Sequence, residues 1–468
     1  MTVKLALPTG EPRAAVGALL EAAGIAVPEY VRASRVLRET DSRSGLTARV
    51  FRERDILVQV ASGNYDLGIC GEVWLAEQQV RFPLQHVVVL GGLPGPESEV
   101  WVAASEALGC DELQLPASSS LQGGRIAAEF ANLADLFAVH ARIPGYRLMP
   151  IHGSADAYPP EDAELVLTLG TRDQLLSRDL VPLHRLFAGG LVLIANADAL
   201  ASKDLSSFLG GLSRQTIGRG PGIVLPSPGA GPARVAPPRR KDVARLALPD
   251  GHAQRHTHAA LSEAGLSLDG YDEKSYVRRP RSAVEGLEVK VIRPQDMPAM
   301  VALGLFDMAI TGRDLLEEHR CLFPNSPVQM SVDLRRSRYR IGPVVDRGFA
   351  ANSTTEALTI WSGLGRPVRV ASEFPALAEA FARDSQLAHT EIMPIAGASE
   401  GFVPEDADVL IEGSETGASI AANGLKMLDP FLESTNCLIV RSQPVTRRTD
   451  VVDQIVERLA LAAAAVEQ

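Results

Sequence analysis

The chain has 468 residues, 46 Lys and Arg against 57 Asp and Glu, and a net charge of −11, with 46% hydrophobic and 22% charged residues. That length suggests two to four domains with ample apolar chain for large cores, and the negative balance argues against nucleic acid or an anionic membrane surface as the main partner. No run approaches the ~20 apolar residues of a membrane span and the start enters a strand pattern directly, so a cytoplasmic protein is expected. Cys70, Cys110, Cys321 and Cys437 lack paired spacing. They indicate neither a zinc site nor a disulfide framework, and are read as four buried thiols.

In chain order, Val3 to Leu7 reads as a strand, Arg13 to Ala23 as a helix closed by Gly24, and Ala48 to Arg52 as a strand. Asp55 to Ser62 reads as a helix capped by Asp55 and closed by Gly63, and Asp66 to Cys70 as a buried strand. Further strands are expected at Glu99 to Ala104, Arg125 to Ala127, Arg147 to Ile151, Glu164 to Leu167 and Leu191 to Ala195, with a helix around Leu133 to His140. Strand, crossover helix and strand in alternation give a mostly parallel sheet covered on both faces, arranged as two lobes.

The pattern then repeats. Leu5-Ala-Leu-Pro-Thr-Gly10 recurs as Leu246-Ala-Leu-Pro-Asp-Gly251, an offset of 241. At that offset Arg52, Asp55, Val60, Ala61, Gly63, Asp66, Ile69 and Gly71 meet identical residues at Arg293, Asp296, Val301, Ala302, Gly304, Asp307, Ile310 and Gly312. Pro160-Glu-Asp162 matches Pro404-Glu-Asp406 at an offset of 244. The chain is therefore a tandem duplication, with a first copy at 1–213, a linker at 214–241 and a second copy at 242–468. The linker's Pro and Gly content excludes helix and central strand. The tail from Val451 to Val466 reads as an amphipathic helix with Val452, Ile455, Val456 and Leu459 on one side.

One stretch of the second copy offers the parts for holding a phosphorylated sugar. Asp408 to Ile411 is a short apolar strand, Ile420 to Leu425 a short helix closed by Asn423-Gly424, and Glu412-Gly-Ser-Glu-Thr-Gly-Ala-Ser419 lies between them. There the N–H groups of Thr416, Gly417, Ala418 and Ser419 are expected to be unpaired at the positive end of a helix. Gly417 admits a close approach, Thr416 and Ser419 add hydroxyl donors, and Glu412 is expected to face ribose hydroxyls as a paired acceptor. An ordinary capped strand-to-helix turn would use the same residue types.

Other residues have plainer readings. Asp55, Asp296, Asp66 and Asp307 are taken as helix caps and turn acceptors, and Gly71 and Gly312 as turn glycines. Arg52 and Arg293 suit a phosphate or a strand-end ion pair equally. His252, His256 and His258 lack a third ligand at matching spacing and are read as solvated helix surface.

Both halves resemble the catalytic domain of ATP phosphoribosyltransferase, the first enzyme of histidine biosynthesis. The resemblance is carried by Leu-Ala-Leu-Pro-x-Gly, by Arg-x-x-Asp followed by a helix and Asp-Leu/Met-Gly/Ala-Ile-x-Gly, by the helix starts at Phe130 and Phe374, and by Gly/Ala-Ser ahead of the phosphate loop. It implies two copies of a two-lobed α/β fold related to type II periplasmic binding proteins, with ATP and phosphoribosyl pyrophosphate meeting in a cleft and Mg2+ on the pyrophosphate. The family's phosphate loop carries over onto the second copy, which makes Glu412, Ser414, Glu415, Thr416, Gly417, Ala418 and Ser419 the expected substrate-binding residues. Catalytic residues and metal ligands are left unassigned.

In the first copy the matching loop is one residue shorter, with Arg172 and Asp173 where Thr and Gly belong, and is not expected to hold a 5′-phosphate. The family's basic residues around the first-strand glycine are replaced by Thr9 and Glu11, and by Asp250 and His252. A free carboxylate at Asp250 facing pyrophosphate would oppose binding. The alternative to an enzyme is thus a catalytically impaired phosphoribosyl- or nucleotide-binding regulatory paralogue. The resembled enzymes form catalytic dimers, so the tandem chain is expected to build that pair internally. A further homo-oligomer or a regulatory subunit is compatible with this. With only a short stretch after Arg441, the histidine-binding domain of the family's long members is not expected within this sequence.

Overall fold

The structure, a computed structural model, describes residues 2–41, 45–83, 86–234 and 240–465. In the first lobe of the first copy, Val3–Pro8 pairs in parallel with Leu46–Phe51 and Leu67–Gly71. In the second lobe, Arg125–Ala128 lies between Arg147–Pro150 and Leu165–Leu169, again in parallel. Helices Arg13–Ala22, Glu53–Ala61 and Ala131–His140 form the crossovers. The register itself repeats: Val3 faces Leu46 and Ala244 faces Leu287, each pair at the offset seen in the sequence.

Two strands are far longer than expected. Val87–Ser105 and Leu180–Asn196 run antiparallel to each other through both lobes and fuse them into one ten-stranded sheet. Pro94 and Pro96 occupy a register shift between Leu93 and Ser98, where a proline removes no ladder bond. In the second copy the same path is interrupted. Arg335 and Ser337 take positive φ values of 56° and 53°, and the sheet divides into five- and six-stranded parts.

The copies pack head to tail. Apolar residues from the second lobe of the first copy, among them Trp101 and Tyr158, share a core with Ile292 and Phe306 from the first lobe of the second. Phe51 and Tyr65 share another with Val344 and Phe402. Charge crosses the same boundary. Arg245 holds Asp162 by two bonds at 2.6 and 2.7 Å, and Lys290 adds a third at 2.9 Å, all three residues buried. Burial raises the Asp162 carboxyl, but Arg245 and Lys290 outweigh it and bring it down to about 2. The pseudo-symmetric place carries Lys4, Arg49, Glu405 and Asp406.

Several expectations change. Asp55 and Asp296 do not cap helices: Glu53–Ala61 starts after Arg52 with no side-chain cap, and both carboxylates bind backbone of the opposite copy, Ala396 and His152. Asp66 and Asp307 do act as local acceptors, for Lys4 N–H and for Arg245, Val445 and Thr446 N–H. Only Cys70 and Cys437 are buried; Cys110 is half-buried and Cys321 exposed, because Cys321 falls on the outer side of its helix. The tail helix spans Thr449–Ala465 and buries Val452, Ile455 and Leu459, while Val466 lies outside the described residues. Among the described residues no helix is long and apolar enough to cross a membrane.

Candidate functional site

The strand Val409–Ser414 lies between Val368–Ser372 and Tyr339–Asp346, and its Val409, Leu410 and Ile411 are fully buried. That placement leaves no freedom in where its end delivers the loop. Gly417 sits at φ +72° with open space where a Cβ would be, and starts the helix Ala418–Ala422. A non-glycine residue would be strained there. The loop is less open than expected. Ser414 Oγ already accepts the Gly417 N–H at 2.8 Å, and Thr416 Oγ1 the Ala418 N–H at 3.4 Å. The N–H groups of Thr416 and Ser419 have no acceptor among the described residues. Short side-chain hydroxyls compete for such donors, so a phosphate here would displace two hydroxyl oxygens.

Glu412 stands at the base of this loop. It accepts from Ser399 Oγ and from its own neighbour's Gly413 N–H at 2.9 Å. Burial and then the adjacent Glu373 carboxylate raise its pKa to about 8. At neutral pH it is therefore mostly protonated, able to donate one bond and accept another, rather than the doubly accepting carboxylate expected from the motif. Ser399 Oγ also lies 3.4 Å from Glu400 Oε2, an alternative acceptor for its single hydroxyl hydrogen.

The opposite wall comes from two places. Within the second copy, His252 Nε2 approaches Glu415 Oε2 at 3.9 Å, so Glu415 faces the helix start of the first lobe. Asp250 is not a free carboxylate: Arg293 binds it at 3.1 Å, Arg278 lies at 3.6 Å, and the Tyr276 hydroxyl and, from the first copy, the Ser154 hydroxyl donate to it. Its charge is met by two guanidinium groups, which removes the repulsion anticipated from the sequence. The first copy supplies the rest. A Cβ at Gly397 would lie 3.0 Å from Arg52 Nε and 3.2 Å from Glu373 Oε1, so Arg52 reaches the second copy's acidic turn. Leu37 N–H donates to Asn423 Oδ1 at 2.8 Å, and Asn423 donates to Arg35 O at 3.1 Å, which ties the end of the loop's helix to the first copy.

The corresponding first-copy loop is closed. Thr171 and Gln174 form a reciprocal capping box at the helix Arg172–Leu176 and use the donors a phosphate would need. Arg172 is paired with Glu112, and Thr168 stands where Glu412 does. The helix His252–Glu263 carries its three histidines without a partner set, and no group of three or more His, Cys, Asp or Glu suited to a metal occurs among the described residues. Gly71 and Gly312 are not turn glycines: each ends a paired strand, Leu67–Gly71 or Met308–Gly312, and precedes a helix with extended backbone. Ser399, Glu373, Glu400 and the reach of Arg52 were not assigned from sequence: pairing of Val368–Ser372 with Val409–Ser414 and the turn at Ser399 bring the three second-copy residues to Glu412, and only the packing of the first copy on the second brings Arg52.

Two two-lobed α/β units, each lending residues to the other's cleft, form the architecture against which relatives can be set. The family model HisG, described as ATP phosphoribosyltransferase, matches residues 52–213 and again 293–461, together more than half of the chain. The chain belongs to the ATP phosphoribosyltransferase family. It is similar to the ATP phosphoribosyltransferase of Deinococcus radiodurans, 29% identical over 228 residues, which cover 48% of this chain and 94% of the relative. The enzyme of the same name from Leptothrix cholodnii is 26% identical over 222 residues, 47% of this chain and 98% of the relative. A solved ATP phosphoribosyl transferase (HisG:HisZ) complex from Thermotoga maritima aligns with 48% of this chain and 100% of its own at 20% identity and a TM-score of 0.38. Each relative is thus about one copy long.

Proposed function

We propose that the protein condenses ATP with phosphoribosyl pyrophosphate, giving N1-phosphoribosyl-ATP and pyrophosphate, at a single site in the second copy. The adenine N1 lone pair forms the bond to C1 of the ribose, and the C1–O bond breaks with its electron pair leaving on pyrophosphate. The supporting observation is the contrast between the loops: Glu412 to Ser419 keeps two N–H groups free and two more held only by movable hydroxyls, whereas Thr171 and Gln174 close the first-copy loop. Thr416, Gly417, Ala418 and Ser419 would anchor the 5′-phosphate, and Ser414 and Glu415 would border it. Glu412 in its protonated state would bridge the ribose hydroxyls. Arg52 would bring positive charge from the first copy toward a polyanionic substrate. Mg2+ would arrive with the pyrophosphate as part of the substrate, where it neutralises the leaving group.

The second reading, a regulatory paralogue without turnover, is favoured by one observation: Asp250 occupies Arg278 and Arg293, two cations a pyrophosphate would otherwise use. One incubation separates them. Purified protein with ATP, phosphoribosyl pyrophosphate and Mg2+ is monitored for the absorbance of the N1-substituted adenine. Turnover supports the enzyme; tight phosphoribosyl pyrophosphate binding with no chromophore supports the paralogue. A soluble, cytoplasmic location and a further oligomer or regulatory subunit belong to the same proposal.

A further inference from the structure

The linker covers a groove on the first copy. Its strand Gly222–Ile223 pairs antiparallel with Leu180–Asn196, Gly222 opposite Ala188 and Ile223 opposite Phe187. The Val224 N–H donates to Leu186 O at 2.7 Å. Ile223 packs on the core that contains Ala76, Phe137 and Phe187. Four residues before Ile223, Arg219 reaches Glu72 at 2.5 Å, a carboxylate whose side chain is 2% exposed. Gly220 lies flat on the strand, since a Cβ there would come within 2.7 Å of Gly189 Cα.

The second copy has the equivalent groove with no strand in it. The register fixes the correspondence: Ser98 faces Gly189 and Val100 faces Phe187, as Tyr339 faces Ser434 and Ile341 faces Leu432. Leu432–Ser434 pairs with Tyr339–Asp346 on one edge and has no strand on the other among the described residues. Beside that edge is a groove of about 680 Å³, with Arg313 at the helix start, Leu377, Phe381 and Phe431 as apolar lining, and Glu317, Asp384 and Asp429 also on its wall. Phe431 remains 42% exposed.

The charge at one point of this groove is reversed between the copies. Glu72 opens the helix Glu72–Arg81, and Arg313 opens the matching helix Arg313–Leu322. Glu72 is met by the linker's arginine; Arg313 has no ion-pair partner among the described residues, and its Nε is buried without a hydrogen-bond acceptor. A buried guanidinium nitrogen left unpaired is unfavourable, and a carboxylate is the group that meets it best. The unpaired strand edge supplies main-chain bonds, and Leu377, Phe381 and Phe431 supply an apolar seat.

We infer that this groove is a docking site for an extended segment of a partner polypeptide. The segment adds as a strand to the free edge of Leu432–Ser434, sets a carboxylate on Arg313, and buries an apolar side chain four residues further on. The phosphate loop contributes no residue to the groove, so docking and substrate binding can occur together. This chain's own linker cannot be the occupant, because it is seated on the first copy and carries the wrong charge.

The probe is a synthetic peptide of residues 219–225 bearing Arg219→Glu, titrated into the full-length chain by fluorescence polarisation. Saturable one-to-one binding is expected, with the unaltered peptide weaker by roughly ten-fold. The full chain bearing Arg313→Glu is expected to reverse that preference, a gain that a misfolded variant would not show. N-methylation of the peptide nitrogen at position 224 removes the ladder donor without touching the protein and is expected to weaken binding by a similar factor. Equal binding of the two peptides, an unchanged preference in Arg313→Glu, or no saturable binding would overturn the inference. So would a concentration-dependent dimer of the chain that Arg313→Glu abolishes, since it would assign the groove to a second copy.

Discussion

Asp55 of the first copy accepts the Ala396 N–H of the second at 2.9 Å, and Asp296 of the second accepts the His152 N–H of the first at 3.1 Å. Each copy thus fixes the glycine turn, Gly397 or Gly153, that lines the other's cleft. Asp55→Ala leaves a half-buried N–H unpaired and is expected to cost about 1–3 kcal/mol of stability, read from urea denaturation of the full chain. A loss below ~0.5 kcal/mol would mean the bond contributes nothing to joining the copies.

The charged clusters between the copies exchange their cations: Lys4 and Arg49 in one correspond to Arg245 and Lys290 in the other. Asp162→Ala strands two buried cations and should destabilise by roughly 3–5 kcal/mol. Arg245→Lys with Lys290→Arg reproduces the other cluster's arrangement, and the double variant should be less destabilised than the sum of the singles by about 1 kcal/mol. Because Asp162 is held near 2 in the folded chain, below its usual value near 3.8, its contribution is complete above pH 4 and is lost as pH falls toward 2. Acid titration of wild type against Asp162→Asn would show the difference shrinking over that window.

Glu412 should behave in the opposite sense. Its pKa rises from the ordinary 4.5 to about 8 on folding, so its protonated form stabilises the native state at low pH and that stability is lost as pH rises through 8. Glu412→Gln removes the titration. The variant should gain on wild type by at least ~1 kcal/mol between pH 5 and pH 9, measured by thermal unfolding in both buffers. A constant difference between the two would show that the carboxyl is ionised throughout.

The isolated second half, Val243 to Gln468, exposes the faces that Phe51, Tyr65, Trp101 and Tyr158 cover in the full chain. It is expected to self-associate or precipitate and to recover ligand binding when Met1 to Ser213 is added. Analytical ultracentrifugation decides this, and a monomeric half with full binding would leave the first copy without a structural role.

The duplication, the lobes and the family were legible in the sequence because each rests on local patterning repeated at a constant offset. The fused sheet was not, since Pro94, Pro96 and the Gly189-Gly190 pair look like breaks until the partner strand shows a bulge beside them. Asp55 read as a helix cap because only the opposite copy supplies its donor. Pro160-Glu-Asp162 and Pro404-Glu-Asp406 were visible as a repeated motif without a purpose, and their purpose is to receive Arg245, Lys290, Lys4 and Arg49 across the boundary. At the site, the loop residues were nameable, but the protonated Glu412 depends on Glu373 and Ser399, which lie far from it in sequence.

The most direct measurement is calorimetric titration of phosphoribosyl pyrophosphate into wild type, Gly417→Asp and Asp173→Gly. Only the second loop can aim several N–H groups at one phosphate, and a carboxylate at 417 would both repel the dianion and strain a position at φ +72°. The account predicts one site per chain, abolished by Gly417→Asp and unaffected by Asp173→Gly. Two sites per chain, or equal loss from a change in either copy, would contradict it.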